Sequence, residues 1–86
     1  MKMMIVIIKD QDADALTQHL TASNYRVTRV ASTGGFLRSG VVTLLMGLED
    51  SQVDAAIAMM RTKLGPASEE GRGTVFVVPV DHFEQI

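Results

Sequence analysis

Residues 25–48 read YRVTRVASTGGFLRSGVVTLLMGL, and this stretch decides the fold. It opens with Tyr25-Arg26-Val27-Thr28-Arg29-Val30-Ala31, a mixture of β-branched and basic residues. Side chains alternate along a strand, so Tyr25 and Val27 share one apolar face while Arg26 and Thr28 share the other. Gly40-Val41-Val42-Thr43-Leu44-Leu45-Met46-Gly47-Leu48 closes the stretch as a second strand. Between them Ser32-Thr33-Gly34-Gly35 interrupts the pattern with turn residues. The middle of the chain is therefore two strands in direct succession, with no helix between them.

On the N-terminal side, residues 2–9 (KMMIVIIK) form a short continuous apolar run, as expected of a strand buried on both faces. Asp10-Gln11-Asp12 then supplies a turn and a helix N-cap, and acids there also suit the helix dipole. Ala13, Leu16 and Leu20 recur at helical spacing. The helix should end near Ser23-Asn24, because asparagine tolerates the left-handed conformation that closes helices.

On the C-terminal side, Asp50 or Ser51 starts a second helix, and Ser51-Gln52-Val53-Asp54 has the form of a capping box. Val53, Ile57, Met60 and Leu64 mark its apolar face, and Gly65-Pro66 ends it. Ala67 to Gly73 reads as a polar loop and Thr74 to Val80 as the last strand. Pro79 has no N–H to give, which places it at a sheet edge or a strand end. Asp81 to Ile86 is a short tail with Phe83 available for packing. No internal repeat or linker interrupts the chain, so residues 1–86 read as one domain.

The predicted order is strand, helix, strand, strand, helix, strand. Two right-handed crossovers then make an α+β sandwich: a four-stranded antiparallel sheet with both helices on one face. The other face stays uncovered although the strands at 3–8, 41–48 and 74–80 carry apolar residues on both sides. Such a patch predicts self-association, and a cyclic trimer is a natural closure.

Composition narrows the function classes. The chain has a net charge of −2 and no basic tract, which argues against a nucleic-acid polymer as partner. It has no cysteine, so disulfides and thiol chemistry are excluded. Its apolar runs are too short to span a membrane. Met1 to Ile8 runs straight into Lys9-Asp10-Gln11-Asp12 with no small-residue cleavage site, so the expected location is cytoplasmic.

No catalytic constellation stands out. The serines lack a paired histidine, and His19 and His82 have no second ligand at metal spacing. Asp10, Asp12 and Asp14 lack the rest of a calcium loop and read as acids at a helix start. The six methionines are scattered, as core filler would be. Acylphosphatase-type chemistry would want a basic phosphate cradle after the first strand, where this chain has Lys9-Asp10-Gln11-Asp12. The chain is expected not to be an enzyme and to carry no cofactor.

Two stretches suggest a binding site. In Thr33-Gly34-Gly35-Phe36-Leu37-Arg38-Ser39-Gly40, paired glycines can expose consecutive amides to a phosphate, Phe36 can stack on a purine and Arg38 can add charge. The alternative is a hairpin whose Phe36 and Leu37 pack on a neighbour. In Asn24-Tyr25-Arg26-Val27-Thr28, Arg26 and Thr28 either reach a ligand held at that turn or form a solvated strand face.

Taken together, Ile7-Ile8-Lys9-Asp10-Gln11-Asp12, Asn24 to Thr28, Ala31 to Gly40, and Thr74 to Val80 with Phe83 and Gln85 resemble the PII-like cyclic di-AMP receptor proteins over nearly the whole chain. The resemblance implies a ferredoxin-like subunit, a homotrimer and a non-catalytic role in signal transduction. It implies a cyclic di-AMP ligand in the clefts between adjacent subunits, near the base of the loops. Carried over residue by residue, the contacts fall on Asn24, Arg26, Thr28, Gly35, Phe36, Leu37, Gly47 and Gln85. Ligand would order the loops and alter what a downstream protein sees.

The chain departs from the family's pattern twice. The loop from Pro66 to Gly73 is shorter, and Val41 stands where the family carries an asparagine that helps recognise a base. A second expectation is therefore kept: a PII-like sensor of another adenine nucleotide or metabolite, or a protein-interaction module in which cyclic di-AMP binding is lost.

Overall fold

A computed structural model of the chain describes residues 1–30, 40–64 and 73–86. Strand β1 spans Lys2–Lys9, helix α1 Asp10–Ala22, β2 Val27–Val30 and β3 Val41–Leu48. A single 3-10 turn at Asp50–Gln52 leads into α2, Val53–Leu64, and β4 spans Gly73–Pro79. The strands form one antiparallel sheet in the order β2-β3-β1-β4. Each helix thus connects two parallel strands with a third strand between them, which is the ferredoxin-like arrangement.

The β1 register sorts the side chains. Met4, Val6 and Ile8 pack with Val42, Leu44, Met46 and Leu48 of β3 into one core. Ala13, Leu16 and Leu20 of α1 and Ala56 and Met60 of α2 close over them, so both helices cover the same sheet face. Each fully buried Leu or Ile contributes about 1.5–3 kcal/mol. The expected α2 face holds, with Ala56 and Met60 at its centre and Val53, Ile57 and Leu64 half-buried around them. No helix among the described residues is long and apolar enough to cross a membrane.

Local expectations needed four corrections. First, α1 begins at Asp10 itself, and its N-cap Lys9 makes no side-chain capping bond. The Asp10 amide instead donates to the Gly40 carbonyl at 2.7 Å, so a distant backbone group satisfies it. Asp10 and Asp14 act elsewhere, both accepting hydrogen bonds from Arg29.

Second, the capping box is Glu49–Gln52, two residues earlier than Ser51–Asp54: the Glu49 amide donates to Gln52 Oε1 at 2.9 Å. Third, β2 starts at Val27 and not at Tyr25, because the Asn24 and Tyr25 amides are taken up in the closure of α1; Ala31 lies outside the described residues. Fourth, Gly73 is the first residue of β4, opposite Ile8, and no loop residue; Val80 falls just outside the strand. Pro79 ends β4 on the sheet edge, as its missing N–H requires.

The second sheet face carries Met3, Ile5 and Ile7 of β1, Leu45 of β3, Val30 of β2 and Phe76 of β4. No helix among the described residues covers them, and Phe76 leaves half its surface in water (51%).

Candidate functional site

The geometry begins at the end of α1. The Tyr25 amide donates to the Leu20 carbonyl (3.1 Å) and the Asn24 amide to that of Thr21 (3.0 Å), a paired closure that requires a left-handed residue at the first of these two donors in the chain. Asn24 supplies it with φ +71°. Tyr25 and Val27 then pack on the core. Alternation turns Arg26 and Thr28 to the open face, where both are exposed.

Arg29 falls on the helix side of the same strand. Its Nη1 donates to Asp14 Oδ1 at 2.6 Å and its Nη2 to Asp10 Oδ1 at 3.0 Å. Its charge is thus matched twice. Among the described residues no carboxylate pairs with Arg26.

Arg26 and Thr28 line a cavity of about 340 Å³ at one end of the open face. Met3 of β1 and Leu45 and Gly47 of β3 supply its floor, and Val80 and Phe83 of the tail its far wall. A Cβ built on Gly47 would stand 3.5 Å from Met1 Cε, so its missing side chain is what keeps the floor flat. The Val80 amide donates to the Met1 carbonyl at 3.1 Å and fixes the root of the tail. Lys2 also borders the cavity. The volume suits a small-molecule ligand, and the lining offers apolar floor, a hydroxyl and unpaired positive charge.

Of the expected contact residues, the structure brings together Arg26, Thr28 and Gly47. Asn24 is exposed at the helix end and Gln85 in the tail, and neither lines the cavity. Gly35, Phe36 and Leu37, with the Gly34-Gly35 turn itself, lie outside the described residues, as does the 65–72 loop.

Val30 and Gly40, which flank the turn, stand at the opposite end of β2 and β3 from Arg26 and Gly47. Val41 and Gly47 lie six positions apart along β3, about 20 Å at the usual rise. Val41 likewise sits at the far end from the cavity.

Sequence reasoning missed Phe83, expected to pack but 64% exposed at the cavity wall. The available signal was an aromatic residue in a tail whose neighbouring residues, His82, Glu84 and Gln85, are polar.

Comparison with known proteins agrees with this architecture. The sequence model described as "Cyclic-di-AMP receptor" matches residues 1–69. Among solved structures, the chain is similar to a functionally unknown protein from Pediococcus pentosaceus ATCC 25745, at 32% identity and a TM-score of 0.79. That match covers 99% of this chain and 96% of the other.

Proposed function

The chain belongs to the cyclic-di-AMP receptor family, and from that premise we propose that it is a non-catalytic PII-like signalling protein binding cyclic di-AMP at the three intersubunit clefts of a homotrimer. The observation that carries this reading is Arg26, an exposed cation without a carboxylate partner among the described residues, beside Thr28 and Gly47 in one cavity. Its neighbour Arg29 is fully engaged, so Arg26 is the charge left for a phosphate.

The strand geometry supports a site shared between copies. The ends that carry the glycine turn stand about 20 Å from Gly47 along β3. In a ring, the turn of one copy can approach the cavity of the next, so Gly35, Phe36 and Leu37 would meet Arg26, Thr28 and Gly47 across a boundary. Asn24 and Gln85 would complete the cleft from its rim. The uncovered apolar face, with Val30 and Phe76 exposed on it, supplies the surface such a ring buries. Signalling would follow if ligand favours one arrangement of the turn over others, which changes what a downstream protein meets.

Isothermal titration calorimetry with cyclic di-AMP tests the ligand. Saturable heat at one site per cleft is expected, and none at high micromolar concentration overturns the ligand assignment. Sedimentation equilibrium tests the assembly: three times the 9.3 kDa chain mass is expected, and a monomer refutes the trimer. Val41, apolar where the family carries an amide, favours one second reading, a sensor of another adenine nucleotide. A thermal-shift panel of ATP, ADP, AMP and cyclic dinucleotides separates the two, because only a ligand that binds the folded state raises the midpoint.

A further inference from the structure

We propose that Phe83 is a ligand-contacting wall of the cavity, its ring taking the face of a nucleotide base while Arg26 takes phosphate. The inference rests on the nucleotide reading above and adds a residue and a role to it. Three observations converge on this ring. It lines the same cavity as Arg26 and Thr28 yet keeps 64% of its surface in water, so core packing does not account for it. The tail that carries it is anchored at its root, where the Val80 amide, three residues earlier, donates to the Met1 carbonyl; His82 and Glu84 on either side contact each other at 3.1 Å.

Among the described residues it is also the only aromatic side chain lining the cavity, whose other apolar members there are Met1, Met3, Leu45, Met46 and Val80. Flexible aliphatic chains offer a base no flat partner. A phenyl ring does, and stacking on it tolerates any base because every base has a π-face. A ring and a positive group lining one cavity of about 340 Å³ fit a ligand with a planar end and an anionic end.

The test uses the full chain, with Phe83→Ala and Phe83→Trp. Phe83→Ala is expected to weaken cyclic di-AMP by about 5- to 100-fold, the range of one base–aromatic stack. Its unfolding midpoint and sedimentation mass should match wild type, since the ring is largely exposed. The chain has no tryptophan, so Phe83→Trp places a lone fluorophore in the cavity; it should bind, and its emission should change along the calorimetric isotherm.

Wild-type affinity in Phe83→Ala overturns the role of Phe83 and leaves the nucleotide reading standing. So does indole emission that ignores saturating ligand. A smaller assembly for Phe83→Ala makes the ring an interface residue and equally overturns the proposal. Absence of binding by wild type itself overturns both.

Discussion

Arg26, just before β2, and Arg29, within it, serve opposite faces of the sheet: Arg29 is bound to two carboxylates of α1, whereas Arg26 stands at the cavity with no carboxylate partner among the described residues. Similar side chains therefore have separable roles. Arg29→Ala should lower stability by less than about 1 kcal/mol, because its partners are exposed, and leave nucleotide affinity unchanged. Arg26→Ala should leave the urea midpoint alone and weaken nucleotide by about tenfold or more, the worth of a charge-assisted contact. Urea titration and calorimetry on both variants check the split, and loss of affinity in Arg29→Ala alone would reverse the assignment.

Gly47 leads to a prediction about shape. Alanine there meets only Met1 Cε at 3.5 Å, an ordinary contact, so Gly47→Ala should fold and bind. Gly47→Leu should fill the cavity floor, abolish ligand heat and keep the native circular dichroism spectrum. Undiminished binding by Gly47→Leu would move the site elsewhere.

Two other glycines separate strain from collision. Gly40 has φ +85° with open space around a would-be Cβ, so Gly40→Ala should cost about 1–2 kcal/mol by backbone conformation alone. Gly40→Asn should recover part of this. At Gly73 a Cβ would stand 2.7 Å from Ile8 Cγ2 and 3.1 Å from the Ile7 carbonyl oxygen. Ile8 is buried and branched and has no room to yield, so Gly73→Ala should cost about 1–3 kcal/mol, with no recovery by asparagine. Chemical denaturation of the four variants checks both mechanisms.

Asp50 is expected to give a small acid dependence. The hydrogen bond from the Met1 ammonium, 3.1 Å away, holds its carboxyl below the usual carboxylate value, helped by the charge of Lys2. A lowered folded value stabilises the fold above the unfolded one and loses that contribution as pH falls through the folded value. An NMR titration should show Asp50 protonating at lower pH than a free aspartate, and acetylating the N-terminus should shift it upward.

Much of this was legible from residue patterns. The eight-residue apolar run of β1 showed both its ends, and Ala13, Leu16 and Leu20 named the buried line of α1. Arg26 and Thr28 could be placed on one face because Tyr25 and Val27 claimed the other. What escaped notice depends on distant partners. The amide of Asp10 is satisfied by Gly40, thirty residues away, so the local acids were read as caps. Ser51 to Asp54 has the side-chain types of a capping box, yet the reciprocal bonds form between Glu49 and Gln52. Phe83 lies in a tail without periodicity, where no pattern tells whether a ring is covered.

The sheet order carries a consequence for how the chain is made. β1 is synthesised first but lies between the two strands that arrive later, β3 at Val41–Leu48 and β4 at Gly73–Pro79. On the ribosome this most apolar segment waits for both neighbours, and its second edge stays unpaired until the final strand emerges. Contacts so far apart in sequence slow folding and leave an edge open to other chains. A ribosome stalled before β4 would therefore hold a sticky, half-paired sheet, and the yield of this protein in cells should depend on chaperone supply more than its small size suggests.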